Sequence, residues 1–260
     1  MSPLVAVATA AGIAVIGWRA RALTTGGGAA ATVVGSVMLW ATGWPGVAIL
    51  GAFFVPTSAV SRLGERREGS DLGAKGSQRD AWQVLANGGA AALAATLEWS
   101  KPGLGTWTAT AALAAAASDT WATSLGALSR RPPRDILQGH PVPPGASGGV
   151  TWVGSGAGML GAVLVSGVGA LVTRRPVLGL VGVVIGVVAM LLDSVLGAAA
   201  QGKFECDGCL VSTERRVHGC GRPARLIRGW RWLDNDGVNA VATVAAGLAA
   251  VGWWRLCSGS

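Results

Sequence analysis

Apolar positions along this chain fall in blocks rather than stripes. Runs without a polar face occupy about residues 3–18, 29–42, 46–60, 82–97, 105–125, 150–172, 177–200 and 237–256. A helix on a soluble core keeps its apolar residues to one face, whereas "VLGLVGVVIGVVAMLLDSVLGAAA" is apolar all round. Several blocks exceed the roughly 18 residues that mark a spanning helix. The pattern predicts an all-α fold, a polytopic transmembrane helix bundle of about eight helices (roughly six to eight) with cytoplasmic loops. Residues 29–60 set that range, because "TGWPG" divides two blocks each shorter than a span. They cross twice, form a re-entrant hairpin, or make one long tilted helix.

Composition agrees with a bilayer as the medium. Charged residues are 13% of the chain and hydrophobic ones 51%, against about 25% charged in soluble domains. The 41 glycines suit membrane helices, which pack through small residues at close range. Residues 1–22 resemble a signal peptide ending in "ARA" but lack its basic leading region, so they read as a first helix. With no short-period repeat and no long linker, residues 1–260 read as a single integral membrane domain.

Charge supplies an orientation. Arg19 and Arg21 follow the first block, and Arg62, Arg66, Arg67, Lys75 and Arg79 fill the segment at 61–81. Arg130, Arg131 and Arg134 follow the fifth block; Lys203 and Arg215, Arg216, Arg222, Arg225, Arg228 and Arg231 precede the last. Only Lys101, Arg174, Arg175 and Arg255 are left for the other side. Basic loops stay inside, which predicts a multi-pass protein of the cell membrane with these loops in the cytoplasm and, for eight crossings, both termini outside. The net charge of +8 follows largely from that topology and from anionic lipid. It is also what a phosphorylated, anionic substrate would need. Loops held against a bilayer offer no groove-reading element, which argues against a nucleic-acid partner.

Polar residues inside the blocks form faces. Asp80, Gln83 and Asn87 share one; Asp119 and Thr123 share a second; Asp193, Gly197 and Gln201 a third; Asp236, Asn239 and Thr243, within "LDNDGVNAVAT", a fourth. All four lie at the predicted cytoplasmic ends. For Asp80, and for Asp234 just before the last block, a helix cap or an Asp–Arg pair explains the residue equally well. Asp119 and Asp193 lie deeper, where an ionisable group must be paired, wetted or functional. Acids and amides at one depth suggest an Mg²⁺ site shared with phosphate oxygens.

Two loops add chemistry. In "VPPGASGGVT", Ser147, Gly148 and Gly149 stand just before a helix, where a tight turn and a helix N-terminus favour anions. Residues 201–236 form a Cys/His- and Arg-rich loop, and in "CDGCLVSTERRVHGC" the residues Cys206, Cys209, His218 and Cys220 supply the four ligands of a candidate structural Zn²⁺ site. Ordinary loop cysteines beside a solvated histidine are the plainer reading. Cys257, at the end of the last block, reads as a small apolar residue.

The pieces "GSQRDAWQVLANGG", "SDTWATSLGALS", "VPPGASGGVT", "LLDSVLGAAAQ" and "WLDNDGVNAV" resemble, in order over about residues 61–250, the DUF92 integral membrane family. That family includes transmembrane protein 19 and plant phytyl-phosphate kinase, and it is distantly similar to phytol and dolichol kinases and CTP-using lipid enzymes. The resemblance implies transfer of a phosphoryl group from a nucleoside triphosphate (CTP or ATP) to a prenyl monophosphate. It implies site residues among Lys75, Arg79, Asp80, Asn87, Asp119, Ser147, Gly148, Gly149, Asp193, Asn235, Asp236 and Asn239. On this reading Asp119 and Asp193 hold Mg²⁺ and Lys75 and Arg79 neutralise the transferring oxygens. Asp80, Asn87, Asn235, Asp236 and Asn239, with the turn amides, hold nucleotide and phosphate. The other partner is an isoprenoid phosphate in the lipid. No Walker A sequence, kinase signature set or paired-Asp pattern of CDP-alcohol phosphotransferases is present. A transporter or scramblase is the alternative, for which charges at mid-membrane depth and broken helices are expected; a scaffolding role leaves the acids unexplained.

Overall fold

The computed structural model describes residues 1–65 and 78–258. Among them eight α-helices follow one another: α1 (Pro3–Arg19), α2 (Thr25–Thr42), α3 (Trp44–Glu65), α4 (Ala81–Ala95), α5 (Leu104–Gly126), α6 (Trp152–Thr173), α7 (Pro176–Ala199) and α8 (Asn235–Ser258). Residues 29–60 form two helices, not one tilted rod. Gly43, at φ +65°, ends α2, and its amide closes on the Leu39 carbonyl before α3 starts at Trp44.

Helix α5 is the axis of the bundle. It packs against α3, α4, α6, α7 and α8, and every residue from Gly105 to Ser118 is buried. Its alanines and threonines are small, which is why so many helices reach it. Thr108 and Thr110 return their hydroxyls to backbone carbonyls one turn earlier, at 2.8 and 2.7 Å, so burial strands neither of these two donors. The α5–α6 seam is the most extensive. A Cβ at Gly154, Gly158 or Gly161 would stand 2.6, 2.8 or 2.9 Å from the carbonyls of Ala122, Ser118 and Ala117. These three glycines share one face of α6, and that face lies directly on the α5 backbone, as small-residue packing in membranes requires.

The outer helices carry the apolar surface. Helices α3, α6, α7 and α8 are each long and apolar enough to cross a membrane, and α1 is a shorter apolar helix. On α7 the side chains of Val177, Leu180, Val184 and Val188 all face outward, Leu180 72% exposed. Such a face is an aggregation liability in water and an ordinary one against lipid. Exposed tryptophans mark two levels: Trp18, Trp82 and Trp152 at one end, Trp40, Trp44, Trp99 and Trp253 at the other. Such belts sit at membrane interfaces. This is a multi-pass membrane protein.

The fold is the expected all-α bundle, and the described loops add only a few short strands to it. Between α5 and α6, β1 (Arg134–Asp135) pairs antiparallel with β2 (Gly149–Val150). Between α7 and α8, β3 (Lys203–Cys206), β4 (Ser212–Thr213) and β5 (Ala224–Arg228) form a sheet in the order β4-β3-β5. Both sheets stand at the Trp18/Trp82/Trp152 end. There the α1–α2 turn is tied to the start of α4, since Arg79 N donates to Ala22 O at 3.0 Å and Thr24 N donates to Arg79 O at 3.1 Å.

At the opposite end Glu98, in a 3-10 turn (Thr96–Trp99), caps α5. Its carboxylate accepts from Gly103 N at 2.6 Å and from Thr106 N at 2.8 Å. The Trp107 indole donates to Ala250 O at 2.9 Å and joins α5 to α8.

Candidate functional site

Helix ends of opposite sense meet at the end that carries the sheets. The C-terminal parts of α3, α5 and α7 and the N-terminal parts of α4, α6 and α8 surround a cavity of about 1100 Å³. The four polar faces read from the sequence open into it, through Gln83 and Asn87, Asp119 and Thr123, Asp193 and Gly197, and Asp236 and Asn239. Arg79, Arg130, Arg131, Arg215, Arg216 and Arg231 line it as well. Asp119, Asp193 and Asp236 sit on α5, α7 and α8, and all six arginines come from the segments between helices.

Asp119 on α5 and Asp193 on α7 stand close enough for their carboxyl groups to interact directly. Asp193 Oδ2 and Asn87 Oδ1 are buried acceptors that meet no donor among the described residues. Asn87 spends its other side-chain atom on the Gln83 carbonyl at 2.9 Å, which fixes the amide with its oxygen unsatisfied. Buried oxygens without a donor are uncommon and expensive, and a hard cation is the partner such a set suits. Asn239 is buried beside them, and Thr243 one turn further donates to Ala86 O at 3.0 Å, pinning α8 against α4.

Arg79 is buried, with its guanidinium 5.3 Å from the Phe53 ring centroid and 6.0 Å from that of Phe54. Burial lowers its pKa to about 10, so it remains a cation at neutral pH. The aromatic faces offset part of the desolvation and aim the charge at the cavity.

Other expected site residues have different work. Asp80 is the N-cap of α4 in a full capping box: it accepts from Gln83 N at 2.9 Å, and the Gln83 side chain accepts from Asp80 N at 3.0 Å. Asp80→Ala is therefore expected to cost about 1 kcal/mol of stability, read as a lower thermal midpoint in detergent. Asp234 caps α8, accepting from Gly237 N at 3.0 Å. Asn235 and Asp236 form the first turn of α8 and line the cavity. Lys75 lies outside the described residues.

The Ser147–Gly148–Gly149 turn is where expectation and structure part. It does not present a row of open amides. Ser147 N and Oγ both donate to the Glu214 carboxylate, at 2.8 and 2.7 Å, and Gly149 N donates to Ala146 O at 3.0 Å. Gln201, placed just beyond the end of α7, adds a third donor to Glu214 at 2.8 Å. The turn does hold an anion, but that anion is a side chain from the β4 end of the next loop. Gly148 itself is wedged against α7 at φ +81°. Nothing in local sequence spacing joins Glu214 to Ser147.

In the loop between α7 and α8 the sulfurs of Cys206, Cys209 and Cys220 and a ring nitrogen of His218 all lie within 4.8 Å of one another. The backbone N–H groups of Cys209 and Gly208 turn toward the Cys206 sulfur and hold its pKa below the usual thiol value.

Fold and site together define a polytopic helical membrane protein with an acid- and arginine-lined cavity at one end of its bundle. The chain belongs to the DUF92 family of integral membrane proteins, whose profile matches residues 8–247. The match begins inside α1, well ahead of the segment that carries the motif resemblance. Among relatives, the chain is 30% identical over 260 aligned residues to Protein PGR of Arabidopsis thaliana, covering 88% of each. It is 29% identical to an uncharacterized membrane protein of Methanocaldococcus jannaschii, covering 90% of this chain and 86% of that one. An uncharacterized membrane protein of Synechocystis is 28% identical, over 89% of this chain and 83% of its own length. No solved structure gives a significant match.

Proposed function

We propose that this chain is a membrane-embedded kinase that transfers a phosphoryl group from a nucleoside triphosphate to a prenyl monophosphate, giving the diphosphate. The observation that carries the reading is the cavity itself. Two interacting carboxyls and an unsatisfied Asn87 oxygen face a ring of arginines where the polar ends of six helices meet. The likeness of its motifs to a family with a prenyl-phosphate kinase member supplies the substrate class.

Phosphoryl transfer asks little covalent chemistry of a protein and much alignment and charge neutralisation. Asp119 and Asp193, with Asn87, would hold Mg²⁺, which would supply charge neutralisation on the phosphate oxygens. Arg79 is placed to meet the transferring group, and the loop arginines Arg130, Arg131 and Arg216 to hold the rest of the triphosphate. Ser147 is not needed for this, since its donors hold Glu214. A phosphate oxygen of the prenyl monophosphate attacks the terminal phosphorus, the bond to the bridging oxygen breaks, and the nucleoside diphosphate leaves with that electron pair. The nucleophile is already an anion, so no strong base is required. The lipid tail would lie along the outer helices near Trp82 and Trp152, with the headgroup turned into the cavity. A site at one end of the bundle favours this reading over transport, for which a site near mid-depth is expected.

The test is purified protein with γ-labelled CTP or ATP, Mg²⁺ and prenyl monophosphates of short and long chain. Label in a prenyl diphosphate is the expected result; no nucleotide consumed with any of them would contradict the kinase reading.

The charge asymmetry further supports a cavity that faces the cytoplasm across a cell membrane. In intact cells an impermeant maleimide should label the native Cys257 and leave an Arg131→Cys variant protected at the new position. Labelling at position 131 would reverse the orientation.

A further inference from the structure

We propose that Cys206, Cys209, His218 and Cys220 form a closed structural zinc site that holds the loop between α7 and α8 against the cavity. The two ligand pairs come from two turns. Cys206 ends β3 and Cys209 lies in the turn toward β4; His218 and Cys220 lie in a second turn closed by the pairing of Val217 with Pro223. Those turns converge until the Cys206 and Cys220 sulfurs are 3.5 Å apart and His218 Nδ1 is 3.1 Å from the Cys220 sulfur.

A tetrahedral zinc ion with Zn–S near 2.3 Å and Zn–N near 2.0 Å sets its sulfurs about 3.8 Å apart and its nitrogen about 3.5 Å from each sulfur. The cluster needs a few tenths of an ångström of expansion at these two short edges and at most about 1 Å of contraction at its longest. Three soft sulfurs and one imidazole select zinc over the hard cation suited to the carboxyl cavity. Four protein ligands close the shell, so the site is structural and leaves no open position for a substrate.

The loop has little else to hold it. Its sheet has only three short strands, and β5 is exposed along most of its length. Phe204, Cys206 and Thr213 are the buried residues of its strands. Three such strands without an apolar face to pack do not stand alone in water, whereas a structural zinc contributes folding free energy directly. The metal's reach extends to the cavity. Glu214 follows β4 directly, between the two ligand pairs, and its carboxylate is the group that Ser147 and Gln201 hold. Zinc at the base of the loop thereby sets where Glu214, Arg215 and Arg216 stand over the cavity.

The experiment uses the full chain purified in detergent with no chelator. Elemental analysis should find about one zinc per chain, kept in Cys257→Ser and lost in Cys206→Ser and Cys209→Ser. Stripping zinc from the wild type with a strong chelator should open tryptic cleavage at Arg215 and Arg216, and adding zinc back should close it. The wild-type arm stands even if the cysteine variants fail to fold. A wild type without stoichiometric zinc overturns the proposal, as does a Cys206–Cys220 disulfide found by thiol titration, or a tryptic pattern that chelation leaves unchanged. No nucleotide or lipid enters these measurements, so their failure is distinct from failure of the kinase reading.

Discussion

Asp119→Asn and Asp193→Asn should each reduce phosphoryl transfer by about 10³-fold, on the order of 4 kcal/mol of lost transition-state stabilisation. Both substitutions keep size and shape, so the bundle should remain folded and the loss should fall on turnover. Removing either carboxylate takes a charged oxygen ligand from the cavity and leaves Asn87 Oδ1 and the remaining acid without a cation. The double variant should be little worse than the single ones, because on the proposed mechanism both residues serve one metal. Steady-state rates with labelled nucleotide, beside a thermal midpoint for each variant, check this. Variants that fold normally and keep wild-type turnover would remove the acids from the mechanism.

Gly148→Ala should be among the costliest single-methyl changes in the described loops. The residue sits at φ +81°, and an added Cβ would stand 2.4 Å from Ala198 Cβ and 2.7 Å from Ala198 Cα. The left-handed backbone alone costs about 1–2 kcal/mol for an alanine, and forcing the turn off α7 adds about 1–3 kcal/mol. Gly139 is the built-in control, at φ +72° with nothing within 4 Å of an added Cβ. Gly139→Ala should cost about 1 kcal/mol, so the difference between the two isolates the contact with α7. Thermal unfolding in detergent, followed by tryptophan fluorescence, reads both. Equal midpoints would mean that the turn does not rest on α7.

The bundle was legible because apolar runs with no polar face leave only helices as a means of crossing lipid. The convergence of polar faces was legible for a related reason: Asn87, Asp119, Asp193 and Asn239 interrupt apolar or alanine-rich blocks at helical spacing, near the end where the basic loops gather. What spacing cannot distinguish is a capping carboxylate from a ligand, and Asp80 and Asp234 are caps. Nor does it separate a helix that faces lipid from one that other helices enclose. The block at 105–125 belongs to α5, whose run from Gly105 to Ser118 is buried; its alanines and threonines, in place of the valines and leucines of α7, are the trace of that burial. Glu214 on Ser147 is a contact between distant segments, made by the packing of one loop on another, and no local pattern encodes it.

The central claim is that Asp119 and Asp193 hold a divalent cation on which the nucleotide's phosphates converge. Manganese, as a paramagnetic stand-in for magnesium, tests it most directly by electron paramagnetic resonance on purified protein. The free Mn²⁺ signal should fall as wild-type protein is added with nucleotide, recover with excess Mg²⁺, and stay unchanged with Asp193→Asn. Equal Mn²⁺ binding by the wild type and a folded Asp193→Asn variant, or none by either, would contradict the account.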